Sequence, residues 1–182
     1  MNKMDLKNHH FYWGPIVYVR LFMPKLLPEY VDKVLYLDAD TIVCGNIDEL
    51  WDVDLTDYAC LMSMDLPGGA VGCWRQCNKN DYYNSGFNLM NLDYWRKNQI
   101  SEKLVDLLKR EHLPYPDQDA VNYICAGKIY KVDKELYNTF DFQDLSKSKI
   151  IHFVKNKPWK KRNSYNEKWF SYKTEYDNLK NK

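Results

Sequence analysis

Short apolar runs alternate with amphipathic stretches along this chain. The first periodic stretch, residues 16–27, sets Val17, Leu21 and Phe22 on one helical face and stops before Pro28, which predicts a helix. The run Val34-Leu35-Tyr36-Leu37 is short and uninterrupted, as in a strand buried within an α/β sheet. Residues 41–44 predict its continuation after a break, and Asn46 predicts an N-cap for a short segment over 47–51. Further strands are predicted over 58–64, 86–92, 129–132 and 149–153. Helices are predicted over 93–98, over 101–112 with Leu104, Leu107 and Leu108 inward, over 117–126 with Asp117 as its cap, and over 167–179. Residues 66–81 hold three of the seven glycines and read as a loop. The mixture predicts an α/β class, with no repeat, low-complexity tract or linker.

Composition narrows the function. The length of 182 residues suits a single domain, 1–182, able to bury roughly 70% of its unfolded surface. A net charge of +1 supplies no bulk field for nucleic acid or an acidic polymer. No apolar run approaches the ~20 residues of a membrane span, and the polar start is no signal peptide. Five cysteines without a disulfide or zinc spacing suit reduced thiols in a cytoplasmic protein. Aromatic residues reach 15%. Their ordinary account is a Tyr-rich core and surface; their functional one is stacking on the C–H faces of sugars.

Chemistry enters at Asp38-Ala39-Asp40, which follows the first apolar run at its C-terminal end. Open α/β sheets bind ligands outside those ends. On a turn, two carboxylates one residue apart converge on one hard cation; on a regular strand they stay ~7 Å apart. The ordinary account is a pair of solvated loop aspartates. The pair by itself does not separate a sugar transferase from other metal–phosphate enzymes.

The wider string is more specific. Tyr18-Val19-Arg20-Leu21, Leu27-Pro28-Glu29, DKVLYLDAD over 32–40 and GNIDEL over 45–50 resemble family 8 glycosyltransferases. So do YNSGFNLMNL over 83–92, Asp117-Gln118-Asp119 with Asn122, and His152-Phe153 followed by Lys157-Pro158-Trp159. The family includes lipopolysaccharide galactosyl- and glucosyltransferases and glycogenin. The resemblance covers residues 15–159 and leaves 160–182 as a tail. It implies a GT-A fold, a mixed sheet flanked by helices, and Mn²⁺-dependent transfer of glucose or galactose from a UDP-sugar with retention. It implies Asp38, Asp40 and His152 as metal ligands and Ala39 beside the ribose. Arg20, Asp65, Asn84 and Ser85 are implied at donor sugar or phosphate, and Lys157 on the diphosphate. Gln118 is implied beneath the anomeric carbon and Asp117 at a sugar hydroxyl. Taken singly, each has an ordinary structural account as a cap, turn or snorkelling side chain.

The residue chemistry agrees. Two carboxylates and an imidazole suit Mn²⁺ better than Mg²⁺. An amide such as Gln118 is a poor nucleophile, which favours front-face attack by the acceptor over a covalent intermediate. Two features depart from the family pattern. Only about fifteen residues precede the Arg20 segment, where members carry a longer nucleotide-binding stretch, so the fold is expected to be N-terminally truncated. HFVKNK over 152–157 is one residue short and lacks the family's glycine, leaving Lys155 to offer charge. Residues 155–173 are basic and aromatic, which predicts either a solvated helix or peripheral contact with the inner face of a membrane. The reading is thus a UDP-sugar transferase acting on a glycan or lipid-linked acceptor. The alternative is a truncated, catalytically silent sugar-binding module.

Overall fold

A computed structural model describes residues 15–66, 72–164 and 166–180. The polar start, residues 67–71 of the expected loop and Tyr165 of the tail lie outside these described residues. In chain order come a 3-10 helix Pro15–Phe22, α1 Met23–Leu26, β1 Lys33–Leu37, β2 Thr41–Val43, a 3-10 turn Asp48–Leu50, β3 Cys60–Met64 and β4 Tyr83–Asn91. Then follow α2 Leu92–Lys97, α3 Ile100–Arg110, α4 Pro116–Ile124, β5 Ile129–Val132, β6 Thr139–Phe140, β7 Ile150–His152 and α5 Glu167–Lys180. The described residues fall into two compact units, 15–36 with 53–132, and 37–52 with 133–180.

The first unit holds a four-stranded sheet in the order β1-β4-β3-β5. β3 runs antiparallel to β4, with Leu61 opposite Leu89, and parallel to β5, with Leu61 opposite Tyr130. Leu61, Met62, Phe87, Leu89 and Met90 are fully buried, consistent with apolar runs shielded on both faces. Trp95 of α2 is also buried, and its indole N–H donates to the Ala59 carbonyl at 2.9 Å. The amphipathic stretch forms α3, and Leu104, Leu107 and Leu108 face the core as expected.

Several expected boundaries change. The helix expected over 16–27 is mostly 3-10 and turns α only at Met23. Ile16, Val17 and Val19 are β-branched and crowd an α turn. The chain then leaves α1 through an irregular segment held by one side chain. The Arg96 guanidinium donates to the carbonyls of Pro24, Leu27, Pro28, Glu29 and Val31. Asp117 is not the cap of α4: Tyr115 is the N-cap residue, Pro116 opens the first turn, and Asp117 lies within that turn. Nor is Asn46 the N-cap of the 3-10 turn: Ile47 takes that place without a side-chain cap, and Asn46 closes an Asx turn ahead of it, its Oδ1 accepting the Asp48 N–H at 2.7 Å.

The second unit holds a three-stranded sheet, β2-β7-β6. β2 is therefore not a continuation of β1 in the same sheet; it pairs antiparallel with β7, Thr41 opposite His152. β6, a two-residue strand below the reach of pattern recognition, pairs parallel with β7, Phe140 opposite His152. α5 presents Trp169, Tyr172 and Tyr176 at helical spacing, and these line a cavity of about 350 Å³ with Ile42, Lys173 and Asp177. Among the described residues no helix is long and apolar enough to cross a membrane.

Candidate functional site

The acidic pair lies on the turn between β1 and β2. The Thr41 N–H donates to the Asp38 carbonyl at 3.1 Å and the Thr41 hydroxyl to the same oxygen at 2.9 Å, closing a tight bend. That bend ends the regular strand, which would hold the two side chains ~7 Å apart, and lets both carboxylates converge. β7 brings His152 opposite Thr41, so its ring reaches them: Nε2 stands 3.2 Å from Asp40 Oδ1 and 3.8 Å from Asp38 Oδ2. Asp38, Asp40 and His152 each offer one ligand atom, all within 4.8 Å of one another, which is room for one cation. Lys157 pairs with the other oxygen of Asp40. Burial alone would raise the Asp40 carboxyl, but hydrogen bonding and charge from His152, then from Lys157, hold it well below the ordinary carboxylate value. The donor set fits a divalent transition ion: two anionic oxygens cancel its charge and the imidazole favours Mn²⁺ over Mg²⁺. Ala39 sits exposed at the tip of the turn.

Behind this cluster the Asp141 carboxylate, buried to 1% exposure, shapes the segment leading to Lys157. It accepts the backbone N–H of Lys155 at 3.3 Å, that of Asn156 at 3.1 Å and the Asn156 side-chain amide at 2.5 Å. In this shortened segment those two amides are therefore spoken for by a carboxylate. The Lys155 ammonium lies over the Phe142 ring, 4.3 Å from its centroid. Lys155→Ala is accordingly expected to change UDP affinity by less than about 3-fold, since its ammonium is engaged by the Phe142 ring of its own chain. A ten-fold or larger loss by calorimetry would mean that Lys155 does replace the missing glycine's phosphate contact.

The first unit carries a second group of the expected residues. The register of β3 against β4 shifts between Met62 and Met64, and Ser85 falls within that irregularity. Its N–H is released from the ladder and donates to Gln118 Oε1 at 2.9 Å. The Gln118 amide nitrogen donates to Asp65 Oδ2 at 2.9 Å, so both ends of the amide are held. The Ser85 hydroxyl donates to Asp117 Oδ2 at 3.0 Å, and Arg20 donates to the Ser85 carbonyl at 2.8 Å. Arg20 also pairs with Asp117 at 3.2 Å and lies 4.0 Å over the Tyr36 ring. Asn122 docks α4 on the strand: its amide accepts the Tyr83 N–H at 2.7 Å and donates to the Tyr83 carbonyl at 2.8 Å. Asn84 turns back on its own strand, accepting the Gly86 N–H at 3.0 Å.

Arg20, Asp65, Ser85, Asp117 and Gln118 thus form one hydrogen-bonded network, while Asp38, Asp40, His152 and Lys157 form another. The third acid of Asp117-Gln118-Asp119 belongs to neither. Asp119 is fully buried and accepts from Tyr82, Tyr115 and Trp74. Burial raises its carboxyl despite those three donors, and the charge of Asp117 adds to the rise. Sequence reasoning passed over Asp141, Asn138 and the core role of Asp119. Only the last had a signal, since a helix at 117–126 with Asp117 facing a ligand turns Asp119 away from it.

The family profile described as "Glycosyl transferase family 8" matches residues 2–163. The chain belongs to that family. It is 30% identical over 165 residues to a "Putative glycosyltransferase" of Haemophilus influenzae, covering 81% of this chain and 50% of the relative. It is 29% identical over 173 residues to "Lipopolysaccharide 1,2-glucosyltransferase" of Escherichia coli, with 81% and 50% covered. Among solved structures it superposes on the apo form of glycosyltransferase GlyE of Streptococcus pneumoniae with a TM-score of 0.69 and 26% identity, covering 86% of this chain and 42% of that one. The fold is the GT-A fold of family 8 glycosyltransferases, a mixed α/β arrangement. The chain spans half the length of each of the two relatives named.

Proposed function

We propose that this family 8 chain carries the donor-handling part of a retaining hexosyltransferase that takes glucose or galactose from a UDP-sugar to a glycan or lipid-linked hydroxyl. The observation that carries this is the Asp38–Asp40–His152 cluster with Lys157 at its side. Mn²⁺, when bound by these three side chains, would act as a Lewis acid on the donor diphosphate. The Lys157 ammonium adds a point charge for the same diphosphate. In the other network, Asp117 and Asp65 are acceptors for sugar hydroxyls. Gln118 Oε1 keeps a second lone pair beyond its bond from the Ser85 N–H, so its dipole can face an oxocarbenium-like centre. Both ends of that amide are engaged and it is a poor nucleophile, which supports front-face attack and retention.

The reading stops short of an anionic lipid surface. The aromatic face of α5 lines a cavity within its own unit, and Arg162 and Lys173 are paired with Glu167 and Asp177.

The test is calorimetry of UDP with and without Mn²⁺, then incubation with UDP-glucose or UDP-galactose. UDP is expected to bind only with Mn²⁺, and the hexose released by slow hydrolysis is expected to be the α anomer by NMR. Metal-independent binding, or a β product, would overturn the proposal. Metal-dependent binding with no turnover of any donor would instead support a silent sugar-binding module.

A further inference from the structure

We propose that Asn138 is the residue that aims His152, holding the Nδ1 proton so that Nε2 is the nitrogen turned toward Asp38 and Asp40. The inference rests on the metal reading above. Asn138 and His152 are 2% and 4% exposed, and Asn138 Oδ1 stands 2.8 Å from His152 Nδ1. A carboxamide oxygen only accepts, so the hydrogen of that contact belongs to Nδ1. The ring nitrogen left to ligate a cation is then Nε2, which is the atom 3.2 Å from Asp40 Oδ1. With the amide reversed, a donor would face Nδ1 and the proton would move to Nε2, where it repels a cation.

The surroundings leave the ring little freedom. Phe140 is the register partner of His152 across the β6–β7 ladder, and its ring meets the imidazole edge-on, with centroids 5.7 Å apart and planes at 76°. Asn138 precedes β6 with φ of 64°, a left-handed backbone that Asn tolerates far better than β-branched or bulky residues. Metal-binding histidines almost always donate their second N–H to such an acceptor, and losing it weakens metal binding 10- to 100-fold. β6 therefore acts as the support of the imidazole, although none of its side chains is a ligand.

The experiment uses the full chain, Mn²⁺ alone as probe, and electron paramagnetic resonance to count free ion. Asn138→Gly keeps the left-handed backbone without strain and removes the acceptor; Asn138→Asp restores an acceptor. The glycine variant is expected to bind Mn²⁺ about 10- to 100-fold more weakly and the aspartate variant at least as tightly as the parent. In parallel, ¹⁵N NMR of the metal-free chain is expected to show a slowly exchanging proton on His152 Nδ1 that is lost in Asn138→Gly. A glycine variant that binds like the parent, or a bare Nδ1 in the parent, would overturn the proposal. If the parent takes up no Mn²⁺ at all, the metal reading fails separately, and the Nδ1 proton still decides whether Asn138 aims the ring.

Discussion

Asp40→Ala is expected to weaken Mn²⁺-dependent UDP binding by more than about 100-fold while leaving the chain folded. Loss of a partner one shell away from a metal already costs 10- to 100-fold, and Asp40 is a direct ligand of the proposed cation. One of its oxygens faces His152 Nε2 and the other engages Lys157, so the substitution removes the anchor of the lysine as well. The backbone contact that ties the turn to β7 does not involve the side chain: the Phe153 N–H donates to the Asp40 carbonyl at 2.8 Å. Circular dichroism should therefore be unchanged while the calorimetric signal vanishes. Retained metal-dependent binding in this variant would remove Asp40 from the site. The same carboxylate sets a pH signature. Its folded pKa lies below the ordinary 3.8, so in the metal-free chain its contribution to stability is complete above that value. It is lost as pH falls from there through the folded pKa. A denaturation series between about pH 5 and pH 2 should show a shallower fall for Asp40→Ala than for the parent.

The largest effect on stability is expected at a residue that touches no substrate. Asp119→Ala strips an acceptor from two buried donors, the Tyr82 hydroxyl at 2.7 Å and the Trp74 N–H at 3.1 Å, and from the half-buried Tyr115 N–H at 2.7 Å. A buried donor left unsatisfied costs about 1–3 kcal/mol, so the two buried ones together cost about 2–6 kcal/mol. Small domains are stable by only about 5–15 kcal/mol in total, and urea denaturation should show the midpoint collapsing. Asp119→Asn keeps one oxygen acceptor and avoids the burial penalty that raises this carboxyl, so it should lose clearly less. Equal losses in the two variants would mean that shape, not hydrogen-bond acceptance, is what the position needs. If instead Asp119→Ala kept full stability and lost only donor binding, Asp119 would belong with Gln118 in the site.

What could be read in the chain followed from how local the cause was. The run Val34-Leu35-Tyr36-Leu37 and the leucines of α3 carry their periodicity openly, and β1 and α3 form where they do. Residues 83–85 lack an apolar alternation, so the start of β4 escaped; it is fastened by Asn122, distant in sequence, whose side chain completes the ladder at Tyr83. The 3-10 helix escaped because its burial pattern resembles an α-helix and only β-branching hints otherwise. β6 has two residues, too few for any period, and it exists through its pairing with β7. The clustering of Asp38, Asp40 and His152 was legible only through motif order. The residues behind it were not legible, since Asn138 and Asp141 act through long-range geometry that no spacing encodes.

The clasp that Arg96 places on residues 24–31 has a different kind of consequence. All five acceptors are main-chain carbonyls, which every amino acid possesses. The segment can therefore accept substitutions outside the family-like Leu27-Pro28-Glu29 without losing that hold. It is not free to drift in length: one inserted or deleted residue would slide the carbonyls out of step with a rigid, planar fork of donors. Lysine offers no substitute, having a single nitrogen to spread over the same arc. Related chains should accordingly differ here by substitution and agree in spacing, with the arginine retained.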